Sequence, residues 1–368
     1  MSPRPLGRTI VAAVAALVLL SGCAIDGSTP SAAPTLSATA SLPLSELDLL
    51  DDPRSYEGPS TAVLAQTEID APSEAPAQVL PATVTSRDLD GDTSVTVRTT
   101  KRVLAVDISG SLAATAVGLG FGDTLVGRDA STTFPGSEKL PLVTTSGHSV
   151  NSEAVLALRP DLVITDGTIG PTDVILQLRD AGIPVVYVDR EPSIDGVEQL
   201  ARDVAAAYGA PAAGEELAAR LAGQLDATTA EIAAIAPSAS SAKLRMLFLY
   251  LRGSSGIYYL FGSESGADEL ITALGGIDIA GEIGWEGMKP MTDEALIAAN
   301  PDLILVMTDG IKSAGGVDGL LESKPAIALT NAGQHRRFVD MADGEILSFG
   351  PRTAGVLDAL ARAIYAPE

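Results

Sequence analysis

One short segment occurs twice in this chain, and it constrains the fold more than any other feature. Residues 153–164 and 294–305 lie 141 positions apart and share six of twelve amino acids, ending in Pro-Asp-Leu and two further aliphatic residues. In each copy we predict a short helix that stops before the proline, because the residue preceding a proline disfavours helical conformation. A buried strand follows each helix. The repeat therefore predicts two halves of similar β/α design.

Short apolar runs alternate with helical stretches along the rest of the chain. Residues 162–166 and 184–189 are strand-like, and a predicted helix from Pro171 to Ala181 separates them. This pattern is typical of a parallel sheet with crossover helices. The composition agrees, because 46% of the residues are apolar but only 4% are aromatic. We predict an α/β fold of two lobes with mainly parallel sheets, joined by one long helix that starts near Ala212.

The N-terminus has the features of an export signal. Arg4 and Arg8 precede an apolar stretch from Ile10 to Leu20, which is too short to span a bilayer as a mature helix. Leu-Ser-Gly-Cys follows and resembles the bacterial lipobox, so Cys23 is the predicted lipidation site. Two or more lipid chains anchor a protein stably. We therefore expect an extracytoplasmic protein attached to the outer face of the bacterial cell membrane through its lipid anchor only.

Composition also predicts the domain boundaries. The residues after Cys23 are rich in Ser, Thr, Pro and Ala, which favours disorder. Asp90-Gly91 between two β-rich runs indicates a hairpin. The predicted organisation is a signal peptide at 1–22, a lipidated N-terminus and disordered tether at 23–82, an N-terminal lobe at 83–210, a linking helix at 211–238 and a C-terminal lobe at 239–368.

Charge and motif content argue against several function classes. The formal net charge of −23 disfavours nucleic acid as a partner. The chain has only two histidines, and it contains no Gly-x-Ser-x-Gly elbow, no P-loop and no His-x-x-x-His pair. An enzyme, such as a chelatase-like or hydrolytic α/β protein, is the alternative that these absences weigh against. We predict a binding protein and not an enzyme.

Three side chains are candidates for a ligand site. His148 follows a predicted strand in a loop at the end of the sheet where clefts form, although a loop histidine can simply be solvated. Tyr250 and Arg252 alternate onto one face of a strand and fall at its carboxyl end. Ferric iron, a hard Lewis acid, together with the adjacent arginine would favour the phenolate of Tyr250. The alternative is a hydrogen-bonded tyrosine beside an Arg252 that pairs with a carboxylate.

A lipobox, a tether and two α/β lobes bridged by one helix together resemble the substrate-binding proteins of ABC importers for iron complexes, haem and cobalamin. The resemblance covers roughly residues 84–367. It implies a ligand in the cleft between the lobes, limited closure, a monomer, and a permease dimer as partner. It also implies that Glu153 and Glu294 dock on permease arginines. Their alternative role is electrostatic, because a carboxylate near a helix N-terminus is stabilising by about 0.3–1 kcal/mol.

Several motifs resemble the haem-binding branch of that family. They are Gly147-His148, Tyr250-x-Arg252 and the Gly-Arg-Asp-x-Ser-Thr motif at residues 127–132. The resemblance implies that His148 from one lobe and Tyr250 from the other ligate the haem iron on opposite faces, with Arg252 supporting the tyrosine. The transported ligand would then be haem, which the protein captures and passes on unchanged.

The same resemblance suggests further contacts with haem. Arg352 could meet a propionate, although a structural salt bridge is an equal alternative. Trp285 and Met288 could form walls for the porphyrin. A ferric-siderophore or cobalamin binder remains the alternative within the importer class, and a siderophore pocket would need several arginines. A surface adhesin or haem reservoir without a permease is a third possibility, against which the paired Glu153 and Glu294 argue.

Overall fold

Two open sheets, each covered by helices, organise the chain. The structure is a computed structural model that describes residues 42–145, 148–189 and 191–368. The strands are β1 Ser60–Thr61, β2 Ala82–Ser86, β3 Thr93–Val97, β4 Val103–Val106, β5 Leu162–Thr165, β6 Val185–Tyr187, β7 Arg245–Arg252, β8 Ile257–Phe261, β9 Ile277–Asp278, β10 Met288–Pro290, β11 Leu303–Met307 and β12 Phe338–Met341. The helices are α1 Ser111–Gly118, α2 Ser152–Leu158, α3 Thr172–Asp180, α4 Gly196–Ala207, α5 Pro211–Ile235, α6 Ala267–Ala273, α7 Ile279–Glu282, α8 Asp293–Ala299, α9 Thr308–Ser313, α10 Gly316–Ser323, α11 Pro325–Ala328, α12 Asn331–Gln334 and α13 Thr353–Tyr365.

The N-terminal lobe is built on a parallel sheet of strand order β4-β5-β6. All four residues of β5 are buried, as expected for a strand with helices on both faces. An antiparallel hairpin of β2 and β3 stands beside this sheet, and Gly91 in its turn has φ 118°. The hairpin predicted from Asp90-Gly91 is therefore confirmed.

The C-terminal lobe is built on a larger mixed sheet of order β1-β12-β11-β7-β8-β10, with β9 also paired to β7. Strand β12 pairs parallel with β1 and β11, and β7 pairs parallel with β11 and β9, whereas β8 pairs antiparallel with both β7 and β10. The antiparallel pairing places Arg252, at the carboxyl end of β7, opposite Ile257 at the start of β8. Parallel pairing dominates this lobe, as the sequence predicts.

The repeated segments fold alike. Asn151 caps α2 and Thr292 caps α8, and each side chain accepts a hydrogen bond from the backbone amide three residues ahead. Arg159 and Asn300 end these helices in left-handed conformation, with φ 47° and 42°. The strands β5 and β11 follow. The two lobes are therefore versions of one β/α unit, as the 141-residue repeat predicts.

Helix α5 joins the lobes and packs along both. Pro211 occupies its first turn, where the missing amide hydrogen costs nothing. A Cβ at Gly214 would lie 2.7 Å from the Ala205 side chain, so glycine allows α4 and α5 to approach closely. Buried α5 residues such as Leu217 and Leu225 belong to an apolar cluster that continues into the C-terminal lobe. The predicted linking helix is confirmed, and the continuous core restricts movement between the lobes.

The tether prediction is wrong for residues 42–81, which we call the N-terminal strap. Leu44 and Leu64 are fully buried, and Leu50 donates its backbone amide to the carbonyl oxygen of α13 residue Tyr365. Strand β1 pairs with β12 of the C-terminal lobe, and further along Val79 donates to Gly209 of the N-terminal lobe. A few well-placed leucines and backbone hydrogen bonds order a segment whose average composition suggests disorder.

The strap also moves a predicted boundary, since β1 makes this part of the chain a component of the C-terminal sheet. The predicted signal peptide and Cys23 lie outside the described residues, as does the first part of the predicted tether. In the part of the chain that the structure describes, no helix is long and apolar enough to cross a membrane.

Candidate functional site

A cavity of about 900 Å³ lies between the lobes. Residues that follow β4, β5 and β6 form its N-terminal wall, and the end of β7 with the loops around β8 and β12 forms its C-terminal wall. Ligands of open α/β sheets bind beyond the carboxyl ends of the strands, and this cavity lies there in both lobes. Its volume is at the upper end of the roughly 300–1,000 Å³ that is usual for small-molecule sites.

His148 lines this cavity from the N-terminal lobe. Its backbone has φ 61°, in the left-handed region that side chains other than glycine adopt at a cost of about 1–2 kcal/mol. The loop is closed by a hydrogen bond from the Thr145 amide to the Ser149 carbonyl oxygen at 2.8 Å. The Nδ1 atom is buried and has no hydrogen-bond partner among the described residues. A polar atom of this kind, in a strained residue facing a cavity, is typical of a functional side chain.

Tyr250 lines the same cavity from the opposite lobe. It is half-buried near the end of β7, and its ring stacks on Phe261 with a centroid distance of 5.7 Å. The guanidinium carbon of Arg252 lies 4.5 Å from the Tyr250 ring centroid. The fold therefore brings together the three residues that the sequence singled out, with the histidine and the tyrosine on different walls.

Arg252 also forms an ion pair. Its Nη2 donates to Asp343 Oδ2 at 3.1 Å, and Asp343 Oδ1 accepts from the backbone amide of Asp309 at 2.9 Å. Burial raises the pKa of Asp343, and the amide of Asp309 and the charge of Arg252 act against that rise. The carboxylate pairing that the sequence left open is thus present. It occurs together with the stacking on Tyr250.

The rest of the polar lining is mostly acidic. Arg252 is the one arginine or lysine among the described lining residues. The carboxylates that line the cavity are Asp166, Asp189, Glu191, Glu264, Asp309, Asp343 and Glu345. This charge disfavours a ligand whose anionic groups would point into the cavity.

Arg352 does not line the cavity. Its side chain is 7% exposed, and its Nη1 donates to Glu345 Oε1 at 3.4 Å, so it stands behind a lining residue. Burial lowers the pKa of Arg352 and raises the pKa of Glu345, while each charge opposes the shift of the other. The geometry is that of the structural salt bridge, and a direct contact with a ligand carboxylate does not fit it.

The two proposed wall residues are placed differently. Met288 lines the cavity and is half exposed. Trp285 is absent from the lining, because its indole packs against the apolar cluster of the C-terminal sheet and its Nε1 donates to the Leu260 carbonyl oxygen at 3.3 Å. The backbone of this segment instead pairs with residues 262–263, which places Met288 at the rim.

Sequence reasoning missed that Asp129, which belongs to the motif at residues 127–132, forms a buried acidic pair with Asp107 beneath the N-terminal wall. Asp107 and Asp129 are fully buried, and Asp129 Oδ2 accepts the backbone amide of Asp107 at 3.1 Å. The Asp107 carboxylate accepts from the amides of Ser111 and Leu112 at the start of α1. Burial and the neighbouring carboxylate raise the pKa of Asp129. An aspartate directly after a buried strand and shortly before a helix was the available signal.

This acidic pair shapes the wall. Asp129 Oδ1 accepts from the amides of Ser131 and Thr132 within its own loop, while its Oδ2 accepts the Asp107 amide and so links the second loop to the first. Gly110 has φ 71°, and a Cβ there would lie 2.4 Å from the Ser131 carbonyl oxygen, so the two loops can meet only at a glycine. Residues of both loops line the cavity.

Glu153 and Glu294 lie outside the cavity. Each is exposed in the first turn of its helix, α2 or α8. Within the described residues neither carboxylate forms an ion pair. No group of three or more metal-ligating His, Cys, Asp or Glu residues occurs in the described part of the chain.

Known proteins share this architecture. The family described as "Periplasmic binding protein" matches residues 106–343. The chain belongs to the periplasmic binding protein family. The uncharacterized ABC transporter substrate-binding lipoprotein YvrC of Bacillus subtilis strain 168 is 30% identical over 250 residues, which cover 67% of this chain and 75% of that protein.

Two further similar proteins are named for different ligands. The crystal structure of the heme binding protein HmuT has a TM-score of 0.80 and 37% identity, covering 86% of this chain and 99% of that one. Variants of HmuT that replace a tyrosine, an arginine two positions later, or a histidine are also among the similar structures. A cobalamin-binding protein of Halobacterium salinarum strain ATCC 29341 is 26% identical over 263 residues, 71% of this chain and 69% of that protein.

Proposed function

We propose that this periplasmic binding protein captures haem between its lobes and delivers it to the permease of an ABC importer. The observation that carries the proposal is that His148 and Tyr250 come from different lobes and line one cavity. Imidazole and tyrosinate are both known axial ligands of haem iron. Iron held by one ligand from each lobe would link the two walls of the cleft.

The surroundings of the two ligands support this assignment. Arg252 and Phe261 contact the Tyr250 ring and hold it at the cavity wall. Met288 offers a soft apolar surface at the rim, and the volume of about 900 Å³ suits a large flat ligand. Because the described lining is acidic apart from Arg252, we expect the propionates of haem to face the opening of the cleft.

The names of similar proteins also support haem as the ligand. HmuT is named a heme binding protein, and its studied variants include a tyrosine and an arginine with the spacing of Tyr250 and Arg252. The ferric-siderophore alternative needs several basic side chains facing an anionic ligand. Arg252 alone, among the described lining residues, supplies such a charge, and this favours haem over a siderophore.

Delivery completes the proposed function. Glu153 and Glu294 would dock on arginines of the permease dimer, one from each lobe. Lipidation at Cys23 would keep a monomeric protein at the outer face of the cell membrane. The protein would perform no chemistry on haem, so haem is its cargo and not a catalytic cofactor.

The test is an absorption titration of the purified protein with hemin. We expect a Soret band that saturates, and we expect the His148→Ala, Tyr250→Phe double variant to lose saturable binding. His335→Ala, Tyr259→Phe is the matched control, because these residues do not line the cavity although Tyr259 pairs with Tyr250 across β7 and β8. Unchanged binding by the first double variant would overturn the ligand assignment.

Cobalamin is the second candidate, and the similarity to the Halobacterium protein is the observation that favours it. Titration with cyanocobalamin under the same conditions separates the two. A cobalamin binder would bind it tightly and would be insensitive to the loss of His148 and Tyr250 as iron ligands. A haem binder would show saturable hemin binding and none of cyanocobalamin.

A further inference from the structure

The two repeated helices expose the same set of side chains. Leu156 on α2 and Ile297 on α8 occupy equivalent positions in the repeat and are 43% and 40% exposed. Large aliphatic side chains at these positions are not needed for the core, since the preceding residues, Val155 and Leu296, are the fully buried ones. An exposed aliphatic residue is ordinary by itself, but its recurrence at the same place in both lobes is not.

Helical spacing places each aliphatic residue beside the glutamate. Positions three and four apart lie on one face of a helix. Glu153, Leu156 and Ala157 therefore share an exposed face of α2, and the equivalent residues Glu294, Ile297 and Ala298 share an exposed face of α8. We call these two surfaces the docking faces. Each consists of one carboxylate, one branched aliphatic side chain and one alanine.

The chemistry of the docking faces selects the occupant. A partner that fits both must present a basic group beside an apolar depression, and it must present this pair twice. A dimer of identical permease subunits meets that requirement, because its two-fold axis would relate the two depressions as the internal repeat relates α2 and α8. The glutamates supply charge complementarity, which favours rapid and correctly oriented encounter more than affinity.

We propose that Leu156 and Ile297 insert into apolar depressions of the permease dimer and supply the affinity of docking, while Glu153 and Glu294 orient it. This inference rests on the proposed function, in which the same glutamates meet the permease. It adds the residues that hold the complex together. Interface affinity generally concentrates in a few well-packed apolar side chains surrounded by polar ones.

The test compares two double variants in binding to the purified permease–ATPase complex of the importer in nanodiscs. Leu156→Ser, Ile297→Ser should weaken binding by about tenfold or more, which is the usual loss when interface anchors are removed. Leu156→Met, Ile297→Met should bind like the unaltered protein, because the side chains stay apolar. Val79→Ala is the control, since Val79 is 76% exposed but lies on the strap next to Gly209.

Two further measurements separate the possible failures. Hemin titration and thermal unfolding of the serine variant should match the unaltered protein, because neither side chain is part of the cavity or the core. The affinity for the permease should fall with rising salt concentration as steeply in the serine variant as in the unaltered protein. In Glu153→Gln, Glu294→Gln it should hardly depend on salt, because the two charges are gone. If the unaltered protein binds hemin and the permease but the serine variant binds the permease equally well, the inference fails and the proposed function stands. If the unaltered protein binds no hemin, the proposed function itself fails.

Discussion

Arg252 lies over the ring of Tyr250, with 4.5 Å between the guanidinium carbon and the ring centroid, and the same guanidinium pairs with Asp343. Asp343 is in turn held by the backbone amide of Asp309. These contacts connect a helix start, a loop and a strand end to one phenol. Because Arg252 contacts both the ring and Asp343, we propose that it positions Tyr250.

Replacing Arg252 by alanine should weaken hemin binding by about tenfold, since a cation–π contact stabilises by about 0.5–2 kcal/mol and its loss leaves the ring less restrained. Arg252→Lys should give an intermediate affinity, because lysine keeps the charge but not the planar stacking. Arg336→Ala is the control, since Arg336 pairs with the exposed Asp318 outside the cavity. Equal hemin affinity for Arg252→Ala and the control would contradict the positioning role.

Two substitutions at His148 separate the strain of its backbone from the contribution of its imidazole to hemin binding. Glycine adopts positive φ freely, whereas alanine at φ 61° keeps the strain. Without ligand, His148→Gly should be more stable to urea unfolding than His148→Ala by about 1 kcal/mol. Both variants should lose the histidine's contribution to hemin binding.

Urea unfolding and hemin binding of the two variants are interpreted together. If His148→Gly is no more stable than His148→Ala, the left-handed backbone of this loop is not strained. If it gains stability and keeps hemin affinity, the conformation is strained for a reason other than iron ligation.

Much of the fold could be predicted from local patterns in the sequence. The repeat that contains Glu153 and Glu294 predicts the helix-strand unit of each lobe because the capping residue, the proline position and the apolar run are all local sequence signals. Tyr250 could be singled out because residues at the carboxyl ends of parallel strands converge on one cleft. The strand predicted before His148 forms only isolated bridges in the structure, yet the loop still reaches the same cavity. The sequence could not show that Arg252 would both stack on Tyr250 and pair with a carboxylate from a distant loop.

The directions of other side chains depend on contacts between residues that are far apart in the sequence. The indole of Trp285 packs against the core, where its Nε1 donates to the Leu260 carbonyl oxygen of β8. Arg352 is buried behind Glu345, which a motif cannot reveal. The pairing of Asp107 with Asp129 likewise requires two loops to meet at Gly110. These are side-chain directions set by tertiary packing.

Leu44 shows why composition failed for the strap. One leucine in a Ser- and Pro-rich segment hardly changes an average, yet it is fully buried among residues of the main apolar cluster. Leu44→Ala should lower the free energy of unfolding by about 2–5 kcal/mol, as is usual for buried leucines. Urea unfolding of a chain that begins at residue 42 measures this difference in stability. Leu42→Ala is the matched control, because Leu42 is 37% exposed and should cost far less.

The strap should unfold together with the lobes. A single transition by both tryptophan fluorescence and circular dichroism would agree with a strap that is part of the fold. A Leu44→Ala variant as stable as Leu42→Ala would instead show that the strap contributes little, and that the lobes are held by α5 and the continuous core alone.

An ion pair between the hairpin and the N-terminal lobe predicts how stability depends on pH. Asp88 accepts hydrogen bonds at 2.7 Å from both terminal nitrogens of Arg179, and this pairing lowers the pKa of Asp88 from 3.8 to about 2. Because the folded carboxylate holds its charge at lower pH than the unfolded one, the pair stabilises fully above pH 4 and less as the pH falls toward 2. The shift corresponds to about 2 kcal/mol.

Asp88→Asn should therefore lower the free energy of unfolding by about 2 kcal/mol at pH 7, and should remove the same amount from the loss of stability between pH 4 and pH 2. Urea unfolding at these pH values checks both. Asp92→Asn is the control, because Asp92 pairs with Arg87 in an exposed ion pair that solvent screens. If Asp88→Asn kept the full acid-dependent loss, carboxylates elsewhere would be responsible, and Arg179 would still contact the hairpin through its bond to Ser86 Oγ.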